Sequence, residues 1–270
     1  MTTTALAETD TRTTTTAMST RKQYEWESGP IPIITTPFYQ TGATDQYTHA
    51  ASEMALVHNC IIRAINSIYI QAPHMPVTEY RHFVKYCLAT HEGLTAHHDG
   101  EEEIFFPEIE RMTGEHGLMA PSISQHHAFA KGFTAWANWL KSIEARKNNF
   151  SPDMCRSLMD DFIPPLAAHL HDEIAFVLSL ARFGSKLDLR ALGKKEGDLV
   201  MARLSKTKVL PVFMLNHDAE FEGGWHAFPP VPRIVRWVLR SVFGRWEAKW
   251  WVFSTVGYDG RARALKYVEK

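Results

Sequence analysis

The sequence predicts an all-α protein organised around an up-down four-helix bundle. Three observations support this fold class: four long segments show helical periodicity, the segments between them are short, and each predicted interior stripe is apolar apart from one histidine or one histidine–glutamate pair. Short connections between long helices favour antiparallel neighbours. Hydrophobic residues make up 45% of the 270 residues, so the chain can bury a core without cross-links.

The four helical segments cover roughly residues 45–71, 77–112, 121–147 and 152–184. Residues that start or stop helices delimit each of them. In chain order these are Pro73, Pro76, Thr78 as an N-cap, Gly114, Pro121 and Pro152. The pair Pro164-Pro165 interrupts the fourth segment. Because proline lacks a backbone N–H, the chain either begins a new helical segment there or kinks an existing helix.

Two regions flank the bundle in the predicted domain organisation. Residues 1–28 are threonine-rich, lack a continuous apolar run and are expected to form a disordered tail. The bundle domain covers residues 29–184. Residues 185–270 form a mainly helical or irregular C-terminal extension that is expected to pack on the bundle.

The C-terminal extension contains two segments of interest. The run IVRWVLRSVFGRWEAKWW predicts a basic helix that docks on the bundle, with a membrane-surface helix as the rival interpretation. Its expected apolar side comprises Val235, Val238, Leu239 and Val242. The run NHDAEFEGGWHAFPPVP combines turn signals with polar side chains that fit either a loop surface or a second metal site. These are His217, Asp218, Glu220, Glu222 and His226.

Composition excludes several classes of protein. A net charge of -1 and an isoelectric point near 6.9 give no reason to expect nucleic acid as a partner. No apolar run is long enough for a transmembrane span. The three cysteines, Cys60, Cys87 and Cys155, are odd in number and far apart, which favours a reducing compartment and a cytoplasmic location.

Fourteen histidines are the unusual feature of the composition, and several of them lie on the predicted interior stripes. A charged carboxylate on such a stripe is costly unless it is paired or binds a metal. In the first helix the stripe is Met54, His58, Ile61, Ile65 and Ile68. In the third it is Ile123, His126, Ala130, Phe133, Ala137 and Leu140. In the fourth it is Phe162, Leu166, His169, Glu173, Phe176 and Leu180.

The second helix contains HHDGEEEIFFPEIE, which offers two histidine–carboxylate pairs at spacing i, i+4. Residues at this spacing share a helical face, so either His97 with Glu101 or His98 with Glu102 can present an imidazole and a carboxylate to one point. The pair His97 and Glu101 is preferred, and the choice between the two pairs stays open. Glu102 is also a candidate third carboxylate near the metals.

Together with His58, His126 and the pair His169–Glu173, this gives four imidazoles and two carboxylates on facing helices. Bundle proteins form carboxylate-bridged sites for two metals in this way. Nitrogen and oxygen ligands without thiolate suit iron ahead of manganese or zinc. Two octahedral metals would keep roughly two positions open for water, O2 or substrate.

These segments resemble the hemerythrin HHE cation-binding family. The resemblance rests on VHNCIIR, HHDGEEEIFFP, QHHAFAKGF and AHLHDEI, which occur in the family's order over about residues 45–183. It implies a metal-ligand set of His58, His97, Glu101, His126, His169 and Glu173. Many hemerythrins carry another histidine four residues after the third-helix ligand, where this chain has Ala130. In this respect the chain is more similar to the eukaryotic iron- and oxygen-sensing hemerythrin domain than to the O2 carriers.

The expected function follows from the open metal positions. We expect a cofactor of two Fe ions that engages O2 or a peroxide, in an oxidase or oxygenase acting on a small-molecule substrate in fungal specialised metabolism. The alternative is a module for iron or oxygen binding or sensing that performs no catalysis. A bundle that holds no metal is the third, structural interpretation.

Overall fold

The computed structural model describes residues 23–269. They form α-helices joined by short 3-10 turns, and an antiparallel bridge between Val256 and Ala262 is the sole β-type pairing found among them. The α-helices are α1 (Pro37–Thr41), α2 (Gln46–Gln71), α3 (Tyr80–Gly100), α4 (Phe106–Thr113), α5 (Ala120–Glu144), α6 (Pro152–Asp160), α7 (Ile163–Ser179), α8 (Leu189–Arg203), α9 (Leu210–Met214) and α10 (Arg233–Ser241).

Helices α2, α3, α5 and α7 form the four-helix bundle, which confirms the predicted fold class. Each packs against the next in chain order, and α7 returns to α2 to close the ring. The apolar core lies between these helices and includes the fully buried Ile65, Phe83, Trp136 and Leu166. Burial of apolar surface on this scale is the main stabilising contribution to such a fold.

Local sequence signals account for several helix boundaries. The Asp45 carboxylate accepts hydrogen bonds from the backbone N–H groups of Tyr47 and Thr48 and so caps α2. Gly114 ends α4 in the left-handed conformation, at φ 77°. Thr78 does not act as the predicted N-cap, because it lies inside a 3-10 turn, Val77–Glu79, that leads directly into α3.

A π-helical segment, Glu101–Phe105, separates α3 from α4. The backbone N–H of Phe106 bonds to the carbonyl of Glu101, five residues earlier. The next residue is Pro107, which has no N–H to donate, so the regular i, i−4 pattern cannot continue through it. Short π-helical segments are rare and occur often at functional sites.

The fourth predicted helix consists of two helices, because the chain turns between Asp160 and Ile163. Pro164 and Pro165 lie in the first turn of α7, where a missing backbone donor leaves no bond unmade. The prolines therefore start a new helix, which is one of the two outcomes expected for them.

The predicted interior stripe of α5 is partly wrong. Ala130, which was expected on the stripe, is exposed, and Phe129, at 3% exposed, is the aromatic side chain that fills the core beside His126. Apart from Ala137, the buried residues follow one another by alternating steps of four and three, and the full set is Ser122, His126, Phe129, Phe133, Trp136, Ala137 and Leu140. Helix positions 100° apart border the same stripe, so the sequence pattern alone did not choose between 129 and 130.

The C-terminal residues pack beside the bundle. Helix α8 contacts α2, α3 and the π-helical segment, and α9 contacts α2, α3 and α10. Residues 1–22 of the expected tail lie outside the described residues, but Glu25–Ser28 forms a 3-10 helix in which Trp26 is fully buried. The Trp26 indole N–H donates to the carbonyl of Arg263, which ties the two ends of the described chain together. None of the described helices is sufficiently long and apolar to cross a membrane.

Candidate metal centre

Two pairs of imidazole nitrogens meet in the interior of the bundle. His58 of α2 and His97 of α3 place their Nε2 atoms 3.1 Å apart. His126 of α5 and His169 of α7 place theirs 3.2 Å apart. All four side chains are buried, the most exposed at 5%. Each bundle helix therefore contributes one histidine to a shared interior site.

The hydrogen-bond partners of His126 and His169 define where their lone pairs point. Nδ1 of His126 faces Oε1 of Glu102 at 2.6 Å, and Nδ1 of His169 faces Oε1 of Gln125 at 3.4 Å. The amide nitrogen of Gln125 donates to Asp172, which fixes the orientation of the amide. Both Nδ1 atoms therefore carry the hydrogen, and each neutral ring has its lone pair on Nε2. Two lone pairs 3.2 Å apart cannot bond to each other, so an electron-pair acceptor between them is required to satisfy both.

His58 is held in the same tautomer by the backbone. Its Nδ1 donates to the carbonyl of Leu170 on α7 at 2.8 Å, which leaves the lone pair on Nε2. A carbonyl or carboxylate that holds the distal nitrogen in this way is the usual support for a histidine that ligates a metal.

Glu101 and Glu173 bring two carboxylates into the same interior. The Oε1 atom of Glu101 lies 3.2 Å from His97 Nε2, and Oε2 lies 3.5 Å from His126 Nε2. Oε2 of Glu173 lies 3.3 Å from His58 Nε2. Both side chains are at most 1% exposed, and none of their four oxygens makes a hydrogen bond. Buried carboxylates without partners are very costly, so this donor set fits bound cations.

His98 lies in the same site, although it was considered only as an alternative to His97. It is 7% exposed, and its Nε2 has no hydrogen-bond partner. Its ring centroid is 4.3 Å from that of His126 and 5.0 Å from that of His169. His98 thus adds a fifth imidazole beside the pair from α5 and α7.

The seven side chains divide into two groups that could each hold one metal ion. One group is His58, His97, Glu101 and Glu173, and the other is His98, Glu101, His126 and His169. Glu101 belongs to both groups. It follows His97 by four residues and His98 by three, so its side chain lies between theirs on the helix surface. A carboxylate with one oxygen toward each group is suited to bridge two metals.

Burial favours the neutral forms of His97, His98 and His169, as metal ligation requires. Removal from water lowers the pKa of His97 and His98 well below the ordinary value, and neighbouring imidazoles lower it further. The same burial lowers the pKa of His169 to about 3. Burial raises the pKa of Glu101 well above its usual range, and the nearby Glu173 charge adds to this. The two carboxylates repel each other, which is a further reason for a compensating cation.

A third buried carboxylate approaches from the C-terminal extension. Glu196 of α8 is 9% exposed, and burial followed by the charge of Glu173 raises its pKa to about 8. Its side chain lies over Gly100, where an added Cβ would be 3.5 Å from Glu196 Oε1 and 2.7 Å from Val200 Cγ2. Because position 100 is glycine, α8 can pack closely beside the site.

Comparison with known proteins identifies the family. The family model described as the hemerythrin HHE cation binding domain matches residues 49–178. A curated relative, the dimeric xanthone biosynthesis cluster protein R11 of Cryptosporiopsis sp. (strain 8999), is 32% identical over 250 residues, which cover 90% of this chain and 92% of that protein. The chain belongs to the hemerythrin HHE family. This confirms the resemblance expected from its motifs. No solved structure matches the chain significantly.

The structure of this hemerythrin-family chain brings all six expected ligand residues together, and their ligation of metal stays a prediction. The likeness to the fungal relative extends into the C-terminal extension, since it covers 90% of this chain. Two residues of the site were not foreseen in their present roles. His98 joins His97 instead of replacing it, and Glu196 belongs to a polar helix in which no sequence signal marks a buried carboxylate. Glu102, the candidate third carboxylate, contacts the far nitrogen of His126.

Proposed function

We propose that this hemerythrin-family chain is a non-haem di-iron protein that binds or activates O2 or a peroxide. The observation that supports this most directly is the facing lone pairs of His126 and His169, combined with the unpartnered oxygens of Glu101 and Glu173. Nitrogen and oxygen donors without sulfur favour iron over metals that prefer thiolate. When bound, two irons would supply redox electrons and open coordination positions for O2 or a peroxide.

The residues of the chain have separate parts in this proposal. The five histidines and Glu173 would hold the metals, and Glu101 would bridge them. Glu102 and the Leu170 carbonyl orient His126 and His58 by accepting hydrogen bonds from their Nδ1 atoms. No side chain of the two groups is more than 7% exposed, so water is largely excluded from the site. This burial supports a diatomic or similarly small molecule as the direct ligand.

We further propose that the chain is an oxidase or oxygenase that acts on a small molecule in fungal specialised metabolism. The support is the 32% identity to a protein named for a xanthone biosynthesis cluster. Aerobic incubation of the iron-loaded chain with aromatic polyketides and a reductant tests this step. O2 consumption coupled to a new product is expected. Reversible O2 or iron binding with no product would favour the binding or sensing alternative.

Metal content is the first measurement. The chain, purified without chelator or reconstituted anaerobically with ferrous iron, is expected to hold about two irons, one for each of two octahedral ligand groups. Absorption spectra before and after exposure to air should differ if O2 reaches the irons. Glu173→Gln should lower the iron content, whereas Glu103→Gln, at an exposed position paired with Arg203, should leave it unchanged. Iron uptake that is equal in both variants would contradict the proposed centre.

A further inference from the structure

Helix α10 presents its apolar side to solvent. Among the described residues, ten large hydrophobic side chains are exposed, and six of them lie between residues 225 and 246. We call this set the tryptophan face: Trp225 (75% exposed), Ile234 (66%), Val235 (38%), Trp237 (56%), Val242 (47%) and Trp246 (72%). Exposed apolar residues that are concentrated in one region indicate an interaction surface, whereas scattered single ones are normal.

The helical geometry explains why the apolar side faces outward. Ile234 and Trp237 are three residues apart, so they share one side of α10, and Val242 follows directly after its last residue. Arg236 and Arg240 lie on the opposite side, where they donate to the carbonyls of Pro229 and Met214. Arg240 thus ties the helix to α9, and Arg236 ties it to the loop that precedes it.

The expected docking of α10 through its valines is therefore only partly correct. Val235 and Val242 are exposed, and Leu239 is the buried apolar residue of the helix, in one cluster with Val209 and Met214. On the inward side of α10, Arg236 and Arg240 lie where apolar side chains were expected to make contact. The carbonyls that accept their hydrogen bonds lie on that side. Ile234, Val235 and Trp237 therefore remain exposed and available to bind another surface.

The charges around the tryptophan face are positive. Residues 225–250 contain five arginines and lysines and one acidic residue, Glu247. Arg233, Arg245 and Lys249 are exposed within the same stretch of chain as the tryptophan face. Tryptophan is enriched at the water–lipid boundary, and arginine and lysine are attracted to anionic headgroups. An amphipathic helix of this composition is suited to lie in the plane of a membrane surface.

We propose that the tryptophan face binds the surface of an anionic lipid bilayer. The apolar side chains of α10 would enter the headgroup region, while Arg233, Arg245 and Lys249 contact lipid phosphates and carboxylates. The composition selects this occupant, since the same stretch of chain exposes apolar side chains together with three basic ones. The bundle would then be held at the membrane by its C-terminal extension, independently of what the metal centre does.

Co-sedimentation of the full-length, iron-loaded chain with sucrose-filled vesicles tests this proposal. The chain should bind phosphatidylcholine vesicles containing about 30% phosphatidylserine, and bind pure phosphatidylcholine at least about tenfold more weakly. Raising the salt from about 0.1 M to about 0.5 M should weaken the binding, since screening reduces attraction between exposed charges. Equal binding to both vesicles, or binding to neither, would overturn the proposal.

Matched variants separate the tryptophan face from nonspecific binding. Ile234→Ser/Trp237→Ser should lower the partition coefficient at least about tenfold, because both apolar side chains leave the lipid. The control Tyr39→Ser/Val77→Ser removes side chains that are 59% and 76% exposed elsewhere, and should bind as the wild type does. All four positions are exposed, so circular dichroism should show unchanged folding. Wild-type binding by the first variant would refute the role of the face.

A charge-reversal pair provides a second test. Arg233→Glu/Lys249→Glu should abolish the preference for phosphatidylserine, whereas Lys131→Glu/Lys147→Glu, exposed on the bundle, should retain it. The competing occupant of the tryptophan face is a second copy of the chain. Sedimentation velocity of the wild type and of Ile234→Ser/Trp237→Ser tests this alternative, because it measures whether each forms a dimer. A wild-type dimer that the variant loses, together with no vesicle binding, would replace the membrane with a self-association interface.

Discussion

Replacing Glu101 with glutamine should have opposite effects on stability in the metal-free and iron-loaded chain. Glu101 is fully buried, both its oxygens lack hydrogen bonds, and the Glu173 carboxylate shares its interior. Without metal, burial and the nearby Glu173 charge disfavour the ionised form of Glu101 by raising its pKa, and the new amide can donate to His97 Nε2 or His126 Nε2, which lie within 3.5 Å of the present oxygens. An unsatisfied buried polar group costs about 1–3 kcal/mol, so Glu101→Gln should stabilise the metal-free chain by about that amount.

The iron-loaded chain should respond in the other direction. At a free metal concentration of about 100 Kd, binding stabilises a protein by about 2.7 kcal/mol. If loss of the bridging carboxylate raises Kd about 100-fold, that stabilisation falls to about 0.4 kcal/mol. Iron should therefore stabilise the wild type by about 2 kcal/mol more than it stabilises Glu101→Gln.

Anaerobic urea unfolding followed by circular dichroism, with and without ferrous iron, measures both effects. Glu103→Gln is the matched control, because Glu103 lies two residues along the same π-helical segment but is exposed and paired with Arg203. Its response to iron should equal that of the wild type. If Glu101→Gln destabilises the chain equally with and without iron, Glu101 has a structural role and the metal-centre reasoning is refuted.

Three further predictions concern neighbouring features. Glu102→Gln should weaken iron binding about 10–100-fold, measured by competition with a chelator, because the support of His126 Nδ1 is weakened. Gly100→Ala should lower the free energy of unfolding by about 1–3 kcal/mol, because its Cβ would meet α8, whereas Gly193→Ala, with nothing nearby, should raise it by about 0.5–1 kcal/mol. His217→Gln should reduce the loss of stability in acid, as measured by urea unfolding at several pH values.

The sign of the His217 effect follows from its burial. Removal from water, followed by the charges of nearby arginines, lowers the folded-state pKa of His217 to about 3, from an ordinary value of 6.5. The unfolded chain therefore binds one more proton between these pH values, so His217 contributes stability above about pH 6.5 that is lost as the pH falls toward about 3. The slope approaches about 1.4 kcal/mol per pH unit. Identical slopes for the wild type and His217→Gln would contradict this account.

Controls for the other two changes are available in the chain. Glu103→Gln should leave iron affinity unchanged, in contrast to Glu102→Gln. Gly100→Ala combined with Val200→Ala should regain part of the lost stability, because Val200 Cγ2 is the atom nearest the added Cβ. The single variant Val200→Ala gives the cost of that change alone. If the double variant loses this full amount relative to Gly100→Ala, close packing against Val200 does not cause the lower stability of Gly100→Ala.

Local periodicity made the bundle and its candidate ligand residues predictable. Histidine and glutamate four residues apart share a helix face whatever the helix packs against, so spacing alone gave His169–Glu173 and left His97–Glu101 and His98–Glu102 as alternatives. The helix-terminating prolines and Gly114 act on the backbone next to them, so the boundaries were also accessible. By itself, the sequence determined an all-α four-helix protein of the hemerythrin type with a histidine and carboxylate interior.

Tertiary structure decided what local pattern could not. Adjacent helix positions differ by 100°, so the inclusion of His98 beside His97 and the burial of Phe129 depend on where the neighbouring helices lie. The burial of Glu196 depends on α8 packing over Gly100. The outward apolar side of α10 depends on the carbonyls of Pro229 and Met214, both outside the helix, which accept hydrogen bonds from its arginines. Each outcome arises from contacts between separate segments. These contacts fix the rotation of a helix about its axis, which the sequence pattern of that helix does not determine.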